Sequence, residues 1–210
     1  MRENPVKIAV LVSGGGTNLQ ALIDAQKSGI ISDGEITLVI SNKAGAYALE
    51  RAANAGIKTE TVIKKDTPDF EGRLIELLEE NGTDVIVLAG FMSILSERFT
   101  SHFEKRILNV HPSLIPSFCG EGFYGLRVHQ AALDYGVKVT GATVHFVNEI
   151  PDGGQIIMQK AVEIQPDDTP ETLQRRIMEQ AEWEILPRAV RLFCEDKITV
   201  QNDKVYIKGE

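Results

Sequence analysis

Lys7-Ile8-Ala9-Val10-Leu11-Val12-Ser13-Gly14-Gly15-Gly16-Thr17-Asn18 is the stretch on which the fold turns. Residues 7–12 form a short run rich in β-branched side chains, which favours an extended strand. Glycines follow at once, and then Leu19, Leu22 and Ile23 recur at helical spacing up to Gly29. Strand, glycine loop and helix in that order are the first half of a parallel crossover.

Downstream the alternation repeats. Strands are expected over 36–40, 59–63 and 85–89, with helices over 44–55, closed by Gly56, and over 70–80, where Phe70, Leu74, Leu77 and Leu78 share a face. Strands this uniformly apolar must be covered on both sides. Right-handed crossovers then give an α/β fold with a doubly wound, mostly parallel sheet, whose ligands bind beyond the carboxyl ends of the strands. After a strand at 107–110 comes an irregular stretch from His111 to Gly125, too long for a routine connection. Residues 137–147 and 155–162 read as two longer strands flanking a turn, so antiparallel pairing is expected toward the C-terminus. Thr169-Pro170 starts a helix with Leu173, Ile177, Ala181 and Ile185 on one face and a kink at Pro187; 197–200 and 204–207 suggest a closing hairpin.

The chain has 210 residues, is 43% hydrophobic and 25% charged, and carries a formal charge of -8, as expected for one globular domain. No block of Lys or Arg is interleaved with aromatics, so no nucleic-acid surface is expected. No run approaches the ~18 apolar residues of a membrane span, and Met1-Arg2-Glu3-Asn4-Pro5 leads into a strand-like run instead of a signal core. A cytoplasmic protein without membrane partners, a monomer or homodimer, is the expectation. Cys119 and Cys194 are far apart with no second ligand at metal-like spacing, so neither a disulfide framework nor a metal site is indicated.

Two groups of residues carry chemistry. Gly14, Gly15, Gly16, Thr17 and Asn18 lie between a strand and a helix, where exposed N–H groups and the helix dipole favour an anion. The loop fits neither a Walker loop, lacking its Lys, nor the dinucleotide pattern, lacking the third glycine; a plain tight turn with Thr17 as N-cap is the alternative. In Leu108-Asn109-Val110-His111-Pro112-Ser113, strand alternation puts Asn109 and His111 on one side. An amide N–H and an imidazolium can both stabilise the oxyanion of an acyl-transfer intermediate. Asp152, in Pro151-Asp152-Gly153-Gly154, is a carboxylate that a glycine-rich turn could lean toward them, though in isolation it reads as a turn former.

Taken together, Ser13-Gly-Gly-Gly-Thr-Asn-Leu-Gln20, Ala89-Gly-Phe-Met92, Asn109-Val-His-Pro-Ser-Leu-Ile-Pro116, and His145-Phe-Val147 through Asp152-Gly-Gly154 resemble the phosphoribosylglycinamide formyltransferase family, in order from about residue 6 to about residue 190. The resemblance implies a Rossmann-like formyltransferase fold over 1–210, with the phosphate site in the N-terminal half and the folate and catalytic site from about 89 to 154. It implies 10-formyltetrahydrofolate as formyl donor and co-substrate, glycinamide ribonucleotide as acceptor, and no metal. Asn109, His111 and Asp152 match the catalytic trio, with His145 in support. Gly14, Gly15, Gly16, Thr17 and Asn18 match the phosphate loop, and Glu182, with Glu179 three residues earlier, matches a helix carboxylate facing the ribonucleotide. Phe91, Met92, Ile94, Leu95, Val147 and Asn148 match the folate side.

The chain departs from the family pattern in two places: Phe118-Cys-Gly-Glu-Gly-Phe-Tyr-Gly125 replaces a short Pro-Gly segment, and Ser93 stands where a basic residue is common. A basic phosphate contact near Pro68 has no clear counterpart, with Lys64 and Lys65 nearby. The related methionyl-tRNA formyltransferases and formyltetrahydrofolate deformylases would need further domains for which this length is expected to leave no room. A non-catalytic nucleotide-binding module is the alternative of a different class.

Overall fold

The computed structural model describes residues 4–209, so residues 1–3 and 210 of the expected 1–210 domain, with most of the N-terminal stretch from Met1 to Pro5, lie outside the described residues. Nine strands and seven α-helices follow in the order β1 (Val6–Val12), α1 (Thr17–Lys27), β2 (Gly34–Ser41), α2 (Tyr47–Asn54), β3 (Lys58–Thr61), α3 (Phe70–Glu80), β4 (Val85–Leu88), α4 (Glu97–His102), β5 (Ile107–His111), α5 (Leu126–Tyr135), β6 (Val139–Phe146), β7 (Ile156–Glu163), α6 (Pro170–Ile177), α7 (Trp183–Cys194), β8 (Ile198–Gln201) and β9 (Lys204–Ile207) among the described residues. No helix among them is long and apolar enough to cross a membrane.

Seven strands form one sheet in the order β3-β2-β1-β4-β5-β6-β7. The pairs from β3 through β5 are parallel, and β6 runs antiparallel to both β5 and β7; the β6–β7 pairing is the one the sequence pattern suggested. The chain winds outward from β1 in both directions, so the order reverses between β1 and β4 and leaves a crevice at their carboxyl ends. β1 shows why both faces must be covered: Ile8, Val10 and Val12 pack into one apolar cluster with Leu19, Leu22 and Ile185, while Ala9 and Leu11 pack into a second with Leu74, Leu78, Phe99 and Phe103. Burying each such side chain is worth about 1.5–3 kcal/mol.

Several boundaries differ from expectation. α2 begins at Tyr47 because Ala44–Ala46 lead in without helical bonding, and β3 is a short edge strand of half-exposed residues ending at Thr61. α4 and α5 give no strong signal in the sequence, the first being six residues long and the second burying only Val128, His129 and Ala132. Thr17 is not the N-cap. Gly16 takes that place in a left-handed conformation at φ 72, with no side chain capping the helix, and a Cβ at Gly16 would come within 2.6 Å of the Ala48 Cβ. Pro187 lies inside α7, and a π-helical segment, Met178–Glu182, precedes that helix. The Thr169 cap holds: its side chain accepts the Thr172 N–H.

Candidate active site

Antiparallel register decides which side chains meet at the end of β5. Asn109 lies opposite His145 of β6, and His111 opposite Thr143; directly opposed side chains project to the same face. Asn109 is half-buried, whereas His111 and His145 are buried. The Asn109 amide nitrogen stands 3.2 Å from His145 Nε2, and His145 Nδ1 stands 2.7 Å from the Phe146 carbonyl. A carbonyl can only accept, so neutral His145 carries its proton on Nδ1 and accepts from Asn109 at Nε2. That orients the amide and leaves its second N–H free for a ligand.

Asp152 reaches the same point from the turn between β6 and β7. Its Oδ2 is 3.4 Å from His111 Nδ1 and its Oδ1 3.5 Å from His145 Nε2. The backbone explains the glycines that follow: Asp152 itself adopts φ 56, a Cβ at Gly153 would meet Ile150 at 2.6 Å, and one at Gly154 would lie 1.8 Å from the Phe146 carbonyl oxygen. Only a Gly-Gly pair lets the turn fold back onto β6. The fold thus brings Asn109, His111 and Asp152, which the sequence singled out, together with His145.

Both pKa values of the pair are lowered, which disfavours a charged imidazole and favours a charged carboxylate. Burial is the largest influence on His111 and holds its pKa below the ordinary imidazole value, against the raising effects of the Asp152 carboxylate and the Phe118 carbonyl. For Asp152, burial is the largest influence and pushes upward, but contact with His145, the nearness of His111 and the Gly120 N–H together bring the carboxyl below its usual value. An Asp152 carboxylate thus faces a His111 whose charged form is held back by burial.

The glycine loop leaves β1 at the crevice. Gly14 and Gly15 are exposed with open space around their Cα atoms, and the uncapped start of α1 presents free N–H groups. The Ser13 hydroxyl accepts the Met92 N–H at 2.8 Å, tying this loop to the segment after β4. Arg51 of α2 donates from Nε to the Gly15 carbonyl (2.8 Å) and from Nη1 to Gln20 (3.1 Å), a basic contact to the loop that the sequence alone did not single out. The π segment sets which residues face the loop: Thr17 Oγ1 donates to Met178 Sδ at 3.7 Å, and Asn18 Nδ2 donates to Glu182 Oε2 at 2.6 Å. Glu179 remains exposed, because a π turn takes more residues than an α turn and removes the i, i+3 alignment expected with Glu182. Burial pushes the Glu182 carboxyl up to about 7, with the Asn18 hydrogen bond opposing.

On the far side of the trio, Leu95 is buried with Phe91 and Val147 packed against its cluster, whereas Met92 and Ile94 are 53% and 66% exposed. Asn148 is half-buried and accepts the Ile150 N–H within its own turn. Ser93 receives a hydrogen bond from Asn42 (2.8 Å), and Lys64 and Lys65 sit in a short 3-10 turn. A concavity of about 690 Å³ between the Gly153-Gly154 turn and the β8–β9 hairpin shares Asn148 with this side but none of the trio; the converging polar groups, not volume, mark the site.

A glycine loop at the switch point and an Asn-His-Asp cluster built from β5 and the β6–β7 turn are the equipment of an acyl-transfer enzyme. The chain belongs to the formyl transferase family, whose profile matches residues 6–190. The phosphoribosylglycinamide formyltransferase of Haemophilus influenzae is 42% identical over 207 residues, covering 97% of this chain and 94% of that protein. The trifunctional purine biosynthetic protein adenosine-3 of Gallus gallus is 45% identical over 203 residues, and there the matched region is 95% of this chain but only 20% of the relative's length. The crystal structure of glycinamide ribonucleotide transformylase 1 from Symbiobacterium toebii superposes with a TM-score of 0.91 at 42% identity, covering 98% of this chain and 95% of that one.

Proposed function

We propose that this enzyme transfers the formyl group of 10-formyltetrahydrofolate to the amine of glycinamide ribonucleotide, giving formylglycinamide ribonucleotide and tetrahydrofolate in purine synthesis. The observation that carries the reading is the meeting of Asn109, His111 and Asp152 within reach of a glycine loop suited to a phosphate. The ribonucleotide phosphate sits on Gly14, Gly15, Gly16, Thr17 and Asn18, with Glu182 facing the same substrate. The pterin side lies along Phe91, Met92, Ile94, Leu95, Val147 and Asn148. Residues 1–210 act as one catalytic domain in the cytoplasm.

The amine attacks the formyl carbon directly, without a protein nucleophile. Asn109 donates its free N–H to the developing oxyanion. That negative charge raises the pKa of His111, which burial had lowered, so the imidazolium becomes the favoured form as the intermediate appears. Asp152, 3.4 Å from Nδ1, stabilises the proton gained there and assists its removal from the amine. Collapse of the intermediate returns the bonding electrons to the folate nitrogen, which leaves with the proton that His111 took from the amine. A steady-state assay of tetrahydrofolate release with and without the ribonucleotide tests the reading. Turnover that requires the ribonucleotide supports a transferase, and turnover without it would make the chain a deformylase.

A further inference from the structure

The 118–125 segment, where the chain departs from its family's pattern, touches both titrating members of the trio through main-chain atoms. His111 Nε2 lies 2.9 Å from the Phe118 carbonyl, and the Gly120 N–H donates to Asp152 Oδ2 at 2.9 Å. A carbonyl accepts only, so neutral His111 carries its proton on Nε2 and keeps Nδ1 bare toward Asp152. Phe118 holds φ 49, a left-handed conformation that a bulky residue keeps only when its surroundings impose it. Its ring meets Phe123 at 6.4 Å and Tyr135, at the end of α5, at 6.0 Å, both edge-on, the preferred geometry for aromatic pairs. Tyr135 is 80% exposed, so little besides this contact engages its ring.

We infer that Phe118 is a positioning residue: the Phe118-Phe123-Tyr135 cluster holds the 118–120 backbone in place, and that backbone fixes the His111 tautomer and the Asp152 carboxylate. The inference rests on the reading of His111 and Asp152 as the catalytic pair, and its test reads the ring itself, independently of turnover. The titratable groups facing His111 are Asp152 from the turn, His145 from β6 and His129 from α5, with Cys119 beside Asp152; none changes when Phe118 is altered.

Imidazole nitrogen NMR on histidine-labelled protein, with His111 assigned among the four histidines by its own substitution, follows tautomer and titration together. Wild-type His111 is expected as the Nε2–H tautomer. Phe118→Ala should give a mixture of tautomers and a lower titration midpoint, since an acceptor favouring the charged ring is lost. It should lower kcat about tenfold, the scale of losing these aromatic contacts, with KM for the ribonucleotide unchanged. Phe118→Tyr should restore tautomer and midpoint. Tyr135→Ala, at an exposed position that does not endanger folding, should shift the midpoint in the same direction by a smaller amount. An unchanged tautomer and midpoint in Phe118→Ala and Tyr135→Ala would overturn the inference, as would a Phe118→Tyr protein behaving like Phe118→Ala.

Discussion

Glu182→Gln should make the protein more stable at alkaline pH than the wild type, with no such advantage in acid. Glu182 is buried, with Asn18 Nδ2 on one carboxyl oxygen at 2.6 Å, and burial raises its pKa from 4.5 to about 7. The folded protein therefore keeps a proton that the unfolded chain has lost across that interval. A raised folded-state pKa contributes stability that is complete below the unfolded value and lost as pH rises through the folded one. At roughly 1.4 kcal/mol per pH unit, the interval amounts to about 3 kcal/mol. Gln keeps the shape and removes the ionisation. Urea unfolding of both proteins between pH 4 and pH 9 should show curves that run together in acid, separate between pH 4.5 and about 7, and stay separated by about 3 kcal/mol above that. Parallel curves across the whole range would refute the reasoning, since they would mean that Glu182 ionises as easily in the fold as in water.

Other outcomes follow from the same geometry. His111→Ala or Asp152→Asn should keep the unfolding midpoint and lose about a hundredfold or more in kcat; near-wild-type turnover would remove either residue from the mechanism. Gly154→Ala, whose new Cβ would lie 1.8 Å from the Phe146 carbonyl oxygen, should displace the Asp152 turn, and kinetics alongside thermal unfolding should show both activity and stability reduced. Gly16→Ala, left-handed and against Ala48, should raise KM for the ribonucleotide far more than KM for the folate donor. Phe99→Ala, fully buried in the second apolar cluster, should cost about 3–5 kcal/mol of stability in denaturant titrations without altering KM.

The doubly wound sheet was legible because its signals are local and periodic: the 7–12 run, the glycines after it, and the strand-helix alternation through residue 89. Of the trio, Asn109 and His111 were legible by strand alternation, whereas Asp152 before Gly153-Gly154 reads alone as a turn former and joined them only through the family resemblance. Assembly of the trio depends on the β5–β6 register, which brings Asn109 to His145 and which no local pattern encodes. What escaped the sequence is mostly main chain. The Phe118 carbonyl and the Gly120 N–H belong to every residue equally, and only the folded path brings them to His111 and Asp152. Arg51 was missed because its contact to the Gly15 carbonyl spans 36 residues. The exposure of Glu179 was hidden by a π segment, whose wider turn shifts the face that α-helical spacing predicts.

The most direct test of the central claim uses a formyl donor labelled with carbon-13 in the formyl group, incubated with the enzyme and glycinamide ribonucleotide, with the fate of the label followed by NMR and mass spectrometry. The account predicts the label on the nitrogen of formylglycinamide ribonucleotide, formed in step with tetrahydrofolate. Label appearing as free formate, with the ribonucleotide unchanged, would contradict it.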